Sequence, residues 1–315
     1  MEKRRVVITG MGAITPLGNS VEEFWAGIKE GKSGIAPITH FDATKNKVHY
    51  AAEVKNFNAG DYMDPKMARN MARFSQYAVA AASQALDDSG LKNNAEVLDE
   101  TGVILGVGIG GFEVTESCAK GYFNSECTKT APMTIPKLIP NEAGGNIAIA
   151  FGCHGPVESV ATACSSGTDA LGVAFDMVRS GRLDVCLSGG SESTITGYAI
   201  VSFEVLHALS TGFDEDPTKA SRPFDKSRNG FVMGEGAAIL VLEEYEHAKA
   251  RGAKIYAEIC DTLFAEILAL TDKACLSTTG FEQAKAIAAE IEAYFTDCYF
   301  DTSVADFSNV RYYAN

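Results

Sequence analysis

The strongest constraint on folding is an alternation of short, β-branched apolar runs with segments of helical periodicity. The runs fall at residues 6–9, 102–107, 157–162, 184–188 and 237–242. Helical segments at 68–89, 165–179 and 245–250 lie between or beside them. Neither an all-helical nor an all-β packing buries both kinds of apolar face, so the order predicts an α/β fold. Along 68–89 the apolar positions are Ala72, Tyr77, Val79, Ala80 and Leu86, and Gly90 is placed to stop the helix. Along 165–179, Leu171, Ala174, Phe175 and Val178 are expected to face the core. The glycine-containing connection at 212–236 is longer than a linker needs to be, the profile of a functional loop.

A chain of 315 residues has room for one large α/β domain or two smaller ones. The net charge of -14 argues against a general affinity for nucleic acid or anionic membrane, so an acidic partner requires a local basic patch. Gly10, Gly12 and Pro16 interrupt the first apolar run, and no run of about 18 apolar residues follows. A cytoplasmic protein without a membrane span is expected. The 8 cysteines have no framework spacing and no CxxC, which predicts reduced thiols, no structural zinc and no other metal.

The passage ESVATACSSGTDALGVAF, residues 158–175, carries the most chemistry. A strand runs directly into Ala163-Cys164-Ser165-Ser166-Gly167 and then into an amphipathic helix. Such a turn lifts one side chain into the open, the geometry of a nucleophile elbow. It also sets the thiol beside the free N–H groups of a helix start, a setting that favours thiolates in general. Small neighbours leave room for a bulky acyl group. On pattern alone, an acyl-accepting nucleophile and a buried free cysteine are both open readings.

Other passages extend the pattern. RRVVITGMGAITPLGNSVEEFWAGIKEGKSGI, GVILGVGIGG, VATACSSGTDA, ALST and SRPFDKSRNGFVMGEGAAILVLE stand in this order along the chain. Together they resemble the elongating β-ketoacyl-acyl-carrier-protein synthases over residues 1 to about 259. The resemblance implies a thiolase-like, layered α/β fold and fatty-acid elongation by Claisen condensation, with no cofactor. It implies that Cys164 takes an acyl group as a thioester, with backbone N–H groups binding the carbonyl oxygen as it gains charge. Ile109 and Phe203 are implied to bound the acyl pocket, although ordinary core packing also suits Phe203. Lys66, Arg69 and Arg73, spaced as one helical stripe, are implied to meet the acidic acyl carrier protein. A homodimer is expected from the family.

Weaker signals compete. Residues 106–111 satisfy GxGxxG after a strand, with Glu126 downstream, and would suit a nicotinamide-dependent oxidoreductase. The first turn lacks the third glycine, and the resemblance accounts for both glycine runs as tight turns. Arg222, Asp225, Arg228 and Glu235 are expected to tie a loop by structural ion pairs. His154 is near Cys164 in sequence, but it and His40, His49, His207 and His247 match none of the family's catalytic histidines.

The chain changes character at about residue 259, which divides it into an N-terminal ketoacyl synthase domain, 1–259, and an atypical, mostly helical tail, 260–315. A helix is expected at 281–298. The family's C-terminal histidine motifs are not in the tail, so the second half of the fold is expected to be truncated or replaced. Acyl acceptance would survive that change and condensation would not. A non-catalytic partner of an intact synthase is the alternative of a different class.

Overall fold

The computed structural model describes residues 4–259. Its strands are β1 (Val6–Ile14), β2 (Ala36–Pro37), β3 (Tyr50–Ala51), β4 (Gly102–Gly106), β5 (Val157–Val160), β6 (Val185–Glu192), β7 (Gly236–Glu244) and β8 (Ala257–Ile259). Its α-helices are α1 (Val21–Lys29), α2 (Pro65–Arg69), α3 (Arg73–Ser89), α4 (Ala95–Glu100), α5 (Phe112–Asn124), α6 (Thr134–Leu138), α7 (Glu142–Phe151), α8 (Ser166–Arg179), α9 (Gly197–Val205) and α10 (Tyr245–Ala250). The helix expected at 281–298, and the character expected of 260–315, lie outside the described residues.

The expected α/β class is the class found. A sheet in the order β5-β4-β6-β7-β1-β8 forms the centre, and β2 pairs with β3 apart from it. β4 runs parallel to β5 and β6, whereas β7 is antiparallel to both β6 and β1. Helix α3 covers one face. Phe74, Ala78, Ala81, Ala85 and Leu86 pack there with Val103, Leu105, Val185, Leu187, Ile239 and Val241. Each such Leu, Ile or Val contributes about 1.5–3 kcal/mol by leaving water. The alternate residues of β4 and β6 face α8, because successive strand side chains point to opposite faces.

Three expectations need correction. The helix at 68–89 is two helices, since Asn70 ends α2 and Ala72, extended at ψ 164, precedes α3. Gly90 does stop α3, in the left-handed conformation at φ 72. On α8 the buried face is Ala170, Ala174, Met177 and Val178, so Leu171 and Phe175 sit at its margin, half-buried. Gly10 and Gly12 are not in a turn but inside β1. A Cβ on Gly12 would stand 1.9 Å from the Ala81 carbonyl oxygen, so glycine is what lets α3 lie directly on the strand.

Buried carboxylates tie the sheet to its surroundings. Glu235 accepts hydrogen bonds from Tyr77 Oη at 3.1 Å, Ser193 Oγ at 2.8 Å and the Val54 N–H at 3.0 Å. It also lies 2.8 Å from His40 Nε2 and 3.5 Å from Arg73 Nη1. This is the structural tie expected of Glu235, while Arg222 and Asp225 form a partly exposed pair 3.6 Å apart. Glu243 is fully buried and accepts both Nε and Nη2 of Arg251 at 2.6 Å and Thr9 Oγ1 at 2.7 Å, with His247 Nδ1 at 2.6 Å. Burial pushes the Glu243 carboxyl up, but hydrogen bonds from Arg251, Thr9 and His247 outweigh it and hold it below its ordinary 4.5.

Removing one partner of a buried pair strands the other, so Arg251→Ala should cost about 3–5 kcal/mol in urea denaturation of the full chain. A depressed folded value stabilises the fold above the unfolded value and is lost as pH falls through the folded one. The gap between wild type and variant should therefore shrink below pH 4.5. An undiminished gap at about pH 3 would contradict this account.

Candidate active site

β5 ends at Val160, and a single 3-10 turn, Ala163–Ser165, leads into α8. Ala163 sits at φ 55, a left-handed conformation that strains an L side chain by about 1–2 kcal/mol. Local bonds hold it there. Ser166 Oγ donates to the Ala163 carbonyl at 2.6 Å and accepts the Thr162 N–H at 2.9 Å. The turn projects Cys164 into the open at the start of α8, as the elbow pattern predicts. By contrast, burial pushes the Cys153 thiol up to about 11 and the Cys186 thiol up to about 12, which keeps both protonated and inert.

The sheet makes room for this turn. A Cβ on Gly106 would stand 2.1 Å from the Ser166 carbonyl carbon, and one on Gly190 would stand 3.2 Å from Gly167 Cα. Any larger residue at Gly106 would push the start of α8, and the thiol with it, off the strand ends. Across the mouth of the elbow, Thr162 Oγ1 donates to Asp169 Oδ2, and Ser165 Oγ lies 3.0 Å from the same oxygen.

The glycine loop after β4 is held by Glu192, at the end of β6. Its carboxylate accepts the N–H of Ile109 at 2.8 Å, of Gly110 at 3.2 Å and of Ser193 at 3.3 Å. Burial pushes this carboxyl up, and the backbone donors only partly offset that. A Cβ on Gly108 would lie 3.2 Å from Glu192 Oε2 and 3.4 Å from the Ala163 carbonyl oxygen. Loop, carboxylate and elbow therefore meet at one point. The same N–H groups would have to receive a pyrophosphate in a dinucleotide site, and here a side-chain anion already has them. The oxidoreductase reading loses this loop, and its other glycine run, Gly10 and Gly12, lies inside β1.

The residues singled out from the sequence divide into groups. Ile109 is half-exposed on the loop that abuts the elbow. Phe203, on α9, lies edge-on to Phe231 with centroids 5.5 Å apart and joins a second apolar cluster with Tyr50, Ile200 and Leu209. Phe112, after the glycine loop, stacks on Tyr198 at 5.6 Å and so links that loop to α9. Lys66 and Arg69 are exposed on α2, but Arg73 begins α3 and turns toward Glu235. The single helical stripe is thus broken at Asn70. Lys137 of α6 donates to the Arg69 carbonyl at 2.6 Å and adds a cation that sequence spacing did not show. His154 bonds Asp99 at 2.6 Å and precedes β5, whereas Cys164 follows it, so the strand separates them. Asp169 and Glu192 were not anticipated. Their only sequence signals are an acid early in the helix after the cysteine and an acid at a strand end.

Comparison with known proteins adds the family. Residues 3–248 match the model of the β-ketoacyl synthase N-terminal domain. The chain is 48% identical over 259 residues to the 3-oxoacyl-(acyl-carrier-protein) synthase 2 of Vibrio cholerae, and 46% identical over 259 residues to that of Synechocystis sp.. These alignments take in 82% of this chain and 62% of each relative, so the chain spans less than two thirds of their length. Among solved structures, the ishigamide ketosynthase/chain length factor superposes with a TM-score of 0.75 at 35% identity, covering 82% of this chain and 64% of that one. A type II PKS acyl-carrier protein in complex with its ketosynthase gives 0.71 at 32% identity, covering 82% and 62%. The sheet is that of the thiolase-like ketosynthases, and the chain belongs to the β-ketoacyl synthase family.

Proposed function

We propose that this chain is an acyl-accepting unit of β-ketoacyl-acyl-carrier-protein synthesis, with Cys164 as the nucleophile. The observation that carries the reading is an exposed thiol on a strained strand-to-helix turn, held by the Ser166 hydroxyl. In the loading step Cys164 Sγ attacks the thioester carbonyl carbon of an acyl carrier. The new C–S bond forms as the old one breaks, and the carrier thiolate leaves and takes a proton. Backbone N–H groups at the start of α8 face the carbonyl oxygen as it gains charge. In the full reaction a malonyl thioester would lose carbon dioxide and its carbanion would attack the acyl-Cys164 carbonyl, expelling the thiolate. That step needs donors for the enolate. No histidine is bonded to Cys164 among the described residues, and residues 260–315 contain none, so this sequence supplies no imidazole beside the thiol for condensation.

Ile109, on the Glu192-held loop, and Phe203 would bound the acyl chain. Lys66 and Arg69, joined by Lys137, would meet the acidic carrier, with Arg73 bracing the patch through Glu235. A homodimer would use β5, which has one open edge among the described residues, with Val157 41% exposed on it and Ile149 77% exposed on α7 nearby. No described helix is long and apolar enough to cross a membrane, and a cytoplasmic site of action is in keeping with the chemistry.

Incubation with acyl-carrier protein, followed by intact and peptide-mapped mass, tests the nucleophile. An acyl adduct confined to Cys164, and missing from Cys164→Ala, is expected. Folded protein that takes no acyl group would favour the non-catalytic partner instead. Reversing charge at Lys66 and Arg69 should raise the half-saturating carrier concentration about tenfold, and more at low salt, without slowing saturated loading. An unchanged concentration would remove the carrier patch.

A further inference from the structure

Asp169 sits in the first turn of α8, where a negative charge suits the helix dipole, and the N-cap residue Ser165 makes no side-chain cap bond of its own. The Asp169 carboxylate also turns back across the elbow. Its Oδ2 accepts the Thr162 hydroxyl and lies 3.0 Å from Ser165 Oγ. Those two residues bracket the nucleophile, one two positions before Cys164 and one directly after it. Ser165 Oγ also lies 3.0 Å from the Thr162 carbonyl, but a charged acceptor makes the stronger bond, so the carboxylate takes the hydroxyl proton.

We propose that Asp169 is a positioning residue for Cys164: a carboxylate latch that closes the elbow from the solvent side. The inside of the turn already has a clamp, Ser166, buried under Gly106. That clamp fixes the Thr162 N–H and the Ala163 carbonyl. It does not reach the backbone on the Ser165 side, where the thiol swings. Ala163 at φ 55 stores strain that would relax by opening the turn outward; the Ser165 N–H holds the Thr162 carbonyl across that opening at 3.3 Å, and the Thr162–Asp169–Ser165 bridge adds the side-chain tie on the solvent side. Opening would carry Sγ away from the N–H groups at the start of α8. Misplacement of a reacting atom by about 1 Å can slow a reaction about a hundredfold. The latch therefore acts on the rate of acyl transfer and leaves carrier binding alone. This rests on the acyl-accepting reading for its consequence but not for its geometry.

The test uses the full chain with Asp169→Ala, Asp169→Asn, and a Thr162→Val/Ser165→Ala double variant. Asparagine keeps an oxygen that accepts both hydroxyls and removes the charge. Amide exchange of the peptide spanning 162–166, acyl loading over a range of carrier concentrations, and urea midpoints are compared. In Asp169→Ala, exchange at 162–166 should rise about tenfold and saturated loading should fall about tenfold or more. The half-saturating carrier concentration and the urea midpoint should stay as in wild type. The double variant should match it, and Asp169→Asn should recover most of the loss. Wild-type exchange and loading in Asp169→Ala would overturn the latch, as would a fall in the urea midpoint that accounts for both changes. If the wild-type chain loads no acyl group, the acyl-accepting reading fails, and amide exchange alone still decides the latch.

Discussion

The contact on which the site depends is the one between the start of α8 and the ends of β4 and β6. Where a helix packs on a sheet, interdigitated side chains normally fill the gap between the two backbones. At Gly106 there is no side chain to fill it, and the Ser166 backbone lies where a Cβ would be. This approach has consequences on both sides of the contact. It buries Ser166, whose hydroxyl can then hold Ala163 in a conformation an alanine would not adopt alone. It also brings the glycine loop within reach of the Ala163 carbonyl, so that the loop and the turn carrying Cys164 share one support. An exposed cysteine here is not a surface accident. It is the residue left outside when everything around it is drawn in.

Carboxylates with different jobs show how environment sets their behaviour. Glu243 is fully buried and titrates low, because Arg251 grips it with two nitrogens and Thr9 and His247 complete its shell. Burial pushes the Glu192 carboxyl up, and the backbone N–H groups that hold it offset that only in part. A dipole offsets burial less than a guanidinium does. Glu243 therefore suits a permanent tie between strand and α10. Glu192 suits a loop support, where backbone donors fix the direction of the loop. Glu235 joins His40, Arg73, Tyr77 and Ser193, and so anchors the long loop before β7 to the first turn of α3.

The alternation of apolar runs sufficed for the fold class and for the strands at its centre, since burial on both faces leaves a continuous apolar signal. The strand at 237–242 is found as β7 with slightly wider limits, and α10 is found as expected. What sequence periodicity missed was set by contacts distant along the chain. Ala68 and Arg73 fit one helical stripe, but the bend at Asn70–Ala72 lets Arg73 reach Glu235, far along the chain, and periodicity carries no record of that partner. Gly10 and Gly12 read as a turn because glycine usually marks one. Their real constraint is the backbone of α3, visible only once the helix is packed. The exposed turn at Cys164 was readable because its elbow is local. Glu192 and Lys137 were not, because each acts on a segment from another part of the chain.

That distinction also separates the two halves of the proposed chemistry. Loading needs a thiol lifted from a strand end, donors from the next helix, and a wall for the acyl chain. All of these come from β4, β5, β6 and α8, which pack on one another within the described residues. Decarboxylative condensation needs more, since an enolate must be met by donors across the site from the thiol. Among the described residues no imidazole is bonded to Cys164 to serve as such a donor. On the proposed reading, covalent capture and carbon–carbon bond formation are separable: the first rests on the elbow, whereas the second depends on what faces it.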